Sequence, residues 1–148
     1  MINSLLQQAK SCLQEGHFTC VLADGKHVLT TTERGIQPLR HWLQSGQSFE
    51  NYVAADRVVG KAAAFLYVLL GVRAVYAEIV SVPAAEVLNH YGIQLSYEKQ
   101  VDAIRNRTGD GFCPMEQSVR MIDDPNHALE AIEQALHLLR SKQASNLS

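Results

Sequence analysis

Val53 to Gly71, V-A-A-D-R-V-V-G-K-A-A-A-F-L-Y-V-L-L-G, contains the longest apolar run of the chain's middle and sets its architecture. It reads as one helix, with Asp56 at the N-cap and Gly71 just past the C-terminus. No residue from Ala62 to Leu70 is charged. The helix is therefore apolar nearly all round and belongs inside the protein. It falls short of the ~20 residues that span a bilayer, so no membrane span is expected. Ala62, Ala63 and Ala64 lack bulk and let such a helix lie close to a sheet. Asp56, Arg57, Gly60 and Lys61 crowd all its polarity into the first turn.

That turn is locally unfavourable. A helix N-terminus carries partial positive charge, yet Arg57 and Lys61 are cations. At i, i+4 spacing they repel by ~0.2–0.5 kcal/mol. Gly60 costs a further ~1 kcal/mol relative to Ala. An anion at the helix mouth, held by free N–H groups and the two cations, would answer all three penalties. Alternatively the two cations snorkel into water and Gly60 only lets a strand pass closely. A third account fills the mouth with a carboxylate of the chain itself, such as Asp56.

Outward from this stretch, the 148 residues, 47% hydrophobic, suit one globular domain over 1–140 with a flexible tail over 141–148. The net charge of −2 gives no polyanion-binding surface, so nucleic acid is not an expected partner. Cys12, Cys20 and Cys113 form no C-x-x-C pair, which fits a reducing cytoplasm. The N-terminus has no basic region followed by a long apolar run, so no signal peptide is expected.

A first helix is expected from Asn3 or Ser4 to Gly16, burying Leu5, Leu6, Ala9, Cys12 and Leu13. Two β-rich runs flank Asp24-Gly25, a hairpin signal, and place strands at about 17–23 and 26–31. Pro38 suits the first position of a helix running to about Gln44. After the central helix come a strand at about 72–80, a helix opened by Ser81-Val82-Pro83 and ending near His90, and a strand in I-Q-L-S-Y-E. That strand–helix–strand unit implies parallel strands. A loop about Arg105–Phe112, a short helix from Pro114, and a last helix from Asp124-Pro125 complete an α/β chain. Its expected sheet is mixed, with four or five strands and helices on both faces, a three-layer α/β/α sandwich.

This order resembles the cytidine-deaminase-like fold. The run A-E-I-V-S-V-P-A-A-E-V-L resembles the deaminase strand that ends in Pro-Cys-x-x-Cys, and V-G-K-A-A-A stands where deaminases carry His-x-Glu. E-R-G-I-Q-P-L, A-D-R-V-V-G-K-A-A-A, the V-P-A-A-E-V-L run and G-F-C-P-M-E together resemble one prokaryotic family of that fold, described as a domain of unknown function, over residues 12–137. Matching Pro83 to the deaminase Pro puts Ala84 and Val87 where the cysteines would be. Val59 and Lys61 fall where the His and Glu would be. Zinc deaminases need those ligands and that Glu. No metal and no other cofactor is expected, and the six histidines lack metal-site spacing. The resemblance implies a pocket between two helix N-termini at the strand ends.

Gly60-Lys61 fails the phosphate-loop pattern, because Ala55 and Ala62 stand where Gly and Ser or Thr belong. In N-R-T-G-D-G-F-C-P-M-E, Gly109 and Gly111 allow close approach, and Cys113 caps the helix that Pro114 begins. A thiol there can be reactive; between Phe112 and Met115 it can equally be a small hydrophobe. Arg34, and Arg105 with Arg107, can reach an anion or lie solvated. Trp42 and Cys20 fit the core.

The leading expectation is a zinc-free domain that binds an anionic small ligand, a nucleotide or another phosphate-bearing metabolite. Asp56, Gly60 and Lys61 would form the floor, and Arg34, Cys113 and Glu116 the walls. One rival is an enzyme of another class using Asp56, Lys61 or Cys113. Another is an interaction module whose polar turn organises a homodimer.

Overall fold

The computed structural model describes residues 2–105 and 113–147. The elements are α1 (Ile2–Glu15), β1 (Cys20–Ala23), β2 (Val28–Thr31), α2 (Gln37–Gln44), β3 (Val53–Val59), α3 (Lys61–Leu70), β4 (Ala74–Ser81), α4 (Val82–His90), β5 (Gln94–Val101), α5 (Pro114–Ser118) and α6 (Pro125–Leu147). Residues 106–112, including Arg107, Gly109, Gly111 and Phe112, lie outside the described residues.

The deciding stretch divides at Gly60. Val53–Val59 is a strand rather than the opening of a helix, so Asp56 is not an N-cap. A strand covered on both faces reads as a near-continuous apolar run, without the alternation that marks a half-exposed one. The helical part has Gly60 as its N-cap, in extended backbone, and ends at Gly71, whose φ of 84° is the left-handed conformation glycine accepts.

The sheet has five strands in the order β2-β1-β3-β4-β5. The β1–β2 hairpin is antiparallel, with Ala23 opposite Val28. Its turn is held by Asp24 Oδ1, which accepts from the backbone N–H groups of Lys26 and His27 at 2.8 and 2.6 Å. β1 runs antiparallel to β3, whereas β3–β4 and β4–β5 are parallel. The β4–α4–β5 unit is therefore as expected.

Side-chain alternation sends the two sheet faces into two cores. Val21, Ala23, Val53, Ala55, Ala74 and Tyr76 meet Leu6, Ala9 and Leu13 of α1. Cys20, Leu22, Ala54, Val75 and Ala77 meet α3, α4 and residues from α2, α5 and α6. Leu13 and Leu66 are fully buried, and each such side chain contributes ~1.5–3 kcal/mol. α3 is covered nearly all round, with Ala62 to Tyr67 buried. Helix α6 is continuous through Leu147. Among the described residues no helix is long and apolar enough to cross a membrane.

Candidate functional site

Three parallel strands end side by side, and two helices start there. β3 passes through Gly60 into α3, β4 passes through Ser81 into α4, and β5 leads into Asp102-Ala103-Ile104. The carboxyl edge of an open α/β sheet is where ligands tend to bind. A cleft of about 250 Å³ lies at this edge, lined by Lys61, Ser81, Pro83, Asp102, Ala103, Ile104, Glu116, Gln117 and Arg120.

Glu116 of α5 fills the mouth of α3. Its Oε1 accepts from the backbone N–H of Lys61 at 2.6 Å, and its Oε2 from that of Ala62 at 2.9 Å. Two of the orphan donors at the start of α3 are thus satisfied by a carboxylate of the chain, which also suits the helix dipole. Gly60 makes this possible. A Cβ at residue 60 would overlap the Glu116 carboxylate. Its backbone is ordinary extended chain, so the glycine serves close approach rather than a turn. Burial raises the Glu116 pKa, with the two N–H bonds and the Lys61 charge opposing. The Lys61 ammonium donates to the Arg120 carbonyl at 3.0 Å and lies 5.7 Å from the centre of the Phe65 ring, within cation–π range.

Ser81 caps α4. Its Oγ accepts from the Ala84 N–H at 3.2 Å, and the residue is only 1% exposed. The signal was local: a serine two residues before a proline at a helix start. Asp102 and Arg120 reach the cleft through tertiary folding and carry no such signal.

The remaining expected site residues lie elsewhere. Asp56 faces α3, where its Oδ2 accepts from the Tyr67 hydroxyl at 2.6 Å; the Cys20 sulfur lies 3.1 Å from that same hydroxyl. Burial pushes the Asp56 carboxyl up to about 6, with the Tyr67 bond opposing, and raises the Cys20 thiol and the Tyr67 phenol as well. Arg57 points to the opposite face. It donates to the carbonyls of Phe18 and Leu13 at 2.9 and 2.8 Å and pairs with Glu78. Arg57 and Lys61 therefore share no helix face. Arg34 is exposed in the loop between β2 and α2. Cys113 is the N-cap of α5, as expected, but its side chain makes no capping bond. Asp56, Arg34 and Cys113 do not line the cleft, whereas Lys61 and Glu116 do.

Residues 8–136 match the family model described as TM1506, a domain of unknown function, DUF1893. The chain belongs to the DUF1893 family. It is similar in structure to the crystallographically determined DUF1893 protein TM1506 from Thermotoga maritima, with a TM-score of 0.81 and 25% identity over 90% of this chain and 89% of that one. No curated protein matches the chain. The DUF1893 match spans every element from the second half of α1 to the middle of α6, so it includes all the cleft residues.

Proposed function

We propose that this DUF1893 domain binds a small phosphate-bearing ligand of nucleotide type in the cleft at the ends of β3, β4 and β5. We further propose that its architecture is a cytidine-deaminase-like one used without zinc. The observation that carries the binding reading is the composition of the cleft. Lys61 and Arg120 supply cations beside the carboxyl groups of Asp102 and Glu116, while Pro83, Ala103 and Ile104 supply apolar wall. Few polar groups set among apolar walls is the usual make-up of a small-molecule site. Because Glu116 holds the Lys61 and Ala62 N–H groups, the ligand's anion is matched to the side-chain cations and not to the mouth of α3. A volume of about 250 Å³ lies below the ~300–1,000 Å³ of drug-sized sites and suits a mononucleotide-sized molecule rather than a dinucleotide.

The deaminase-like reading rests on the element order and on the V-G-K-A-A-A and V-P-A-A-E-V-L runs. Where deaminases present a His, a Glu and two Cys, this chain presents Val59, Lys61, Ala84 and Val87. Among the described residues no three His, Cys, Asp or Glu side chains converge as a metal would require.

Thermal-shift measurements against inorganic phosphate and nucleoside monophosphates, at low and moderate salt, test the binding. The expected result is stabilisation of the parent that is weakened in Lys61→Gln and Arg120→Gln, since a hydrogen bond to a charged group is worth ~1.5–3 kcal/mol. No stabilisation of the parent by any of these anions would remove the proposal.

A further inference from the structure

We infer that the inner part of this cleft reads a neutral edge carrying both an N–H and a C=O or ring nitrogen, the edge a nucleobase presents. The inference rests on the cleft being the ligand site, and it concerns the part of the ligand that the cations do not hold.

Two side chains carry it. Glu116 is fixed by its bonds to the Lys61 and Ala62 N–H groups. A carboxylate has about four acceptor positions, so these bonds leave it free to accept from a ligand N–H in the cleft it lines. Its orientation is set before any ligand arrives, which removes an ordering cost from binding. Gly60 leaves room for it there, because only a residue without Cβ lets the carboxylate lie so close.

Ser81 is the complement. It lines the same cleft, is 1% exposed, and accepts the Ala84 N–H on one lone pair of its oxygen. Its hydroxyl proton has no acceptor among the described residues. A buried hydroxyl whose proton has no partner calls for an acceptor atom opposite it.

The cleft thus offers one fixed acceptor and one buried donor together with the apolar surfaces of Pro83 and Ile104. A flat ring with a donor beside an acceptor pairs with both and also covers that apolar surface, whereas a bare sugar phosphate has hydroxyls to pair but no apolar ring to cover it. A site with buried polar groups discriminates strongly against analogues that leave them unpaired.

The test compares ribose 5-phosphate with AMP, CMP, GMP and UMP by calorimetric titration on the same protein preparation. At least one nucleotide is expected to bind tenfold or more tighter than ribose 5-phosphate, and that ratio is expected to fall at least fivefold in Glu116→Gln. Ser81→Ala should lower the same ratio. Because each ratio is taken within one protein, a loss of stability does not mimic the effect, and the ratio in the parent decides if neither variant folds. Equal affinity for ribose 5-phosphate and all nucleotides would overturn the inference and leave the phosphate-binding proposal standing. So would a preference that both variants retain in full. Failure of all five compounds to bind would overturn both.

Discussion

A carboxyl group taken out of water costs stability when it is ionised, and a hydrogen bond from a tyrosine hydroxyl offsets only part of that cost. Asp56 is in that position, with a pKa pushed from 3.8 up to about 6, chiefly by burial. A group whose folded pKa lies above its unfolded value contributes stability that is fully present below the unfolded value and is lost as pH rises through the folded one. The window for Asp56 therefore runs from about pH 4 to 6. The full shift corresponds to ~3 kcal/mol; the side chain keeps some contact with solvent, so ~1–2 kcal/mol is expected. Asp56→Asn should be the more stable protein at pH 7.5, and the difference from the parent should shrink toward pH 4. Urea melts at a series of pH values check this. A parent that is more stable than Asp56→Asn at pH 7.5 would contradict it. Thiol labelling reports on the same cluster. Cys20 is 4% exposed with a raised pKa, whereas Cys12 and Cys113 are partly exposed, so Cys20 should label slowest at neutral pH. Peptide mapping that finds Cys20 modified first would show that this cluster opens readily.

At the scale of elements, the junction at Gly60 couples α3 to α5. Removing Glu116 strips the cap from α3 and should cost ~1–2 kcal/mol, the usual range for a lost cap. Gly60→Ala should displace the same carboxylate, offset by the ~0.4–1 kcal/mol that Gly-to-Ala changes contribute through the unfolded chain. In a Glu116→Ala background there is no carboxylate to displace, so Gly60→Ala should then be neutral or stabilising. A double-mutant cycle by urea denaturation measures the coupling. Strictly additive effects would mean that Gly60 and Glu116 do not depend on each other.

The same junction shows what the sequence makes legible. The Asp24-Gly25 hairpin, the Ser81-Val82-Pro83 helix start, and the helices opened by Pro114 and Pro125 are readable because local turn and cap chemistry marks each one. Val53–Val59 is misread as helix because burial on both faces removes its alternation. The warning was present in the local conflicts. A cation in the first helical turn, a like-charged neighbour and a mid-helix glycine disagree with a helix. Two of them vanish once Gly60 is the cap and Arg57 lies on a strand facing α1; the third persists because Lys61 begins the helix, and the Glu116 carboxylate at the helix mouth offsets it. Lys61 and Glu116 stand out in sequence as polar residues beside apolar runs. Their meeting across residues 61 and 116 does not, because nothing local encodes it.

At the scale of the molecule, the second core depends on α6 closing over α3. Arg40 of α2, 7% exposed, ties the two outer helices together. Its Nε and Nη2 donate to the Glu133 carboxylate at 2.6 and 2.7 Å, and its Nη1 to Gln37 at 2.5 Å. Removing the carboxylate leaves a buried guanidinium without its counter-charge. Breaking a fully buried pair costs ~3–5 kcal/mol. With the Glu133 side chain 41% exposed, about 1–2 kcal/mol is expected for Glu133→Gln in urea denaturation. An unchanged midpoint would mean that solvent replaces the bond without loss.

Backbone amide chemical-shift mapping during titration with nucleoside monophosphates locates the binding site. The largest shifts should fall together on Lys61, Ser81, Ala103, Ile104, Gln117 and Arg120, which three strand ends and α5 bring to one cleft. Shifts concentrated instead on the opposite face, at Lys10, Tyr76 and Glu98 beside α1, would contradict that location.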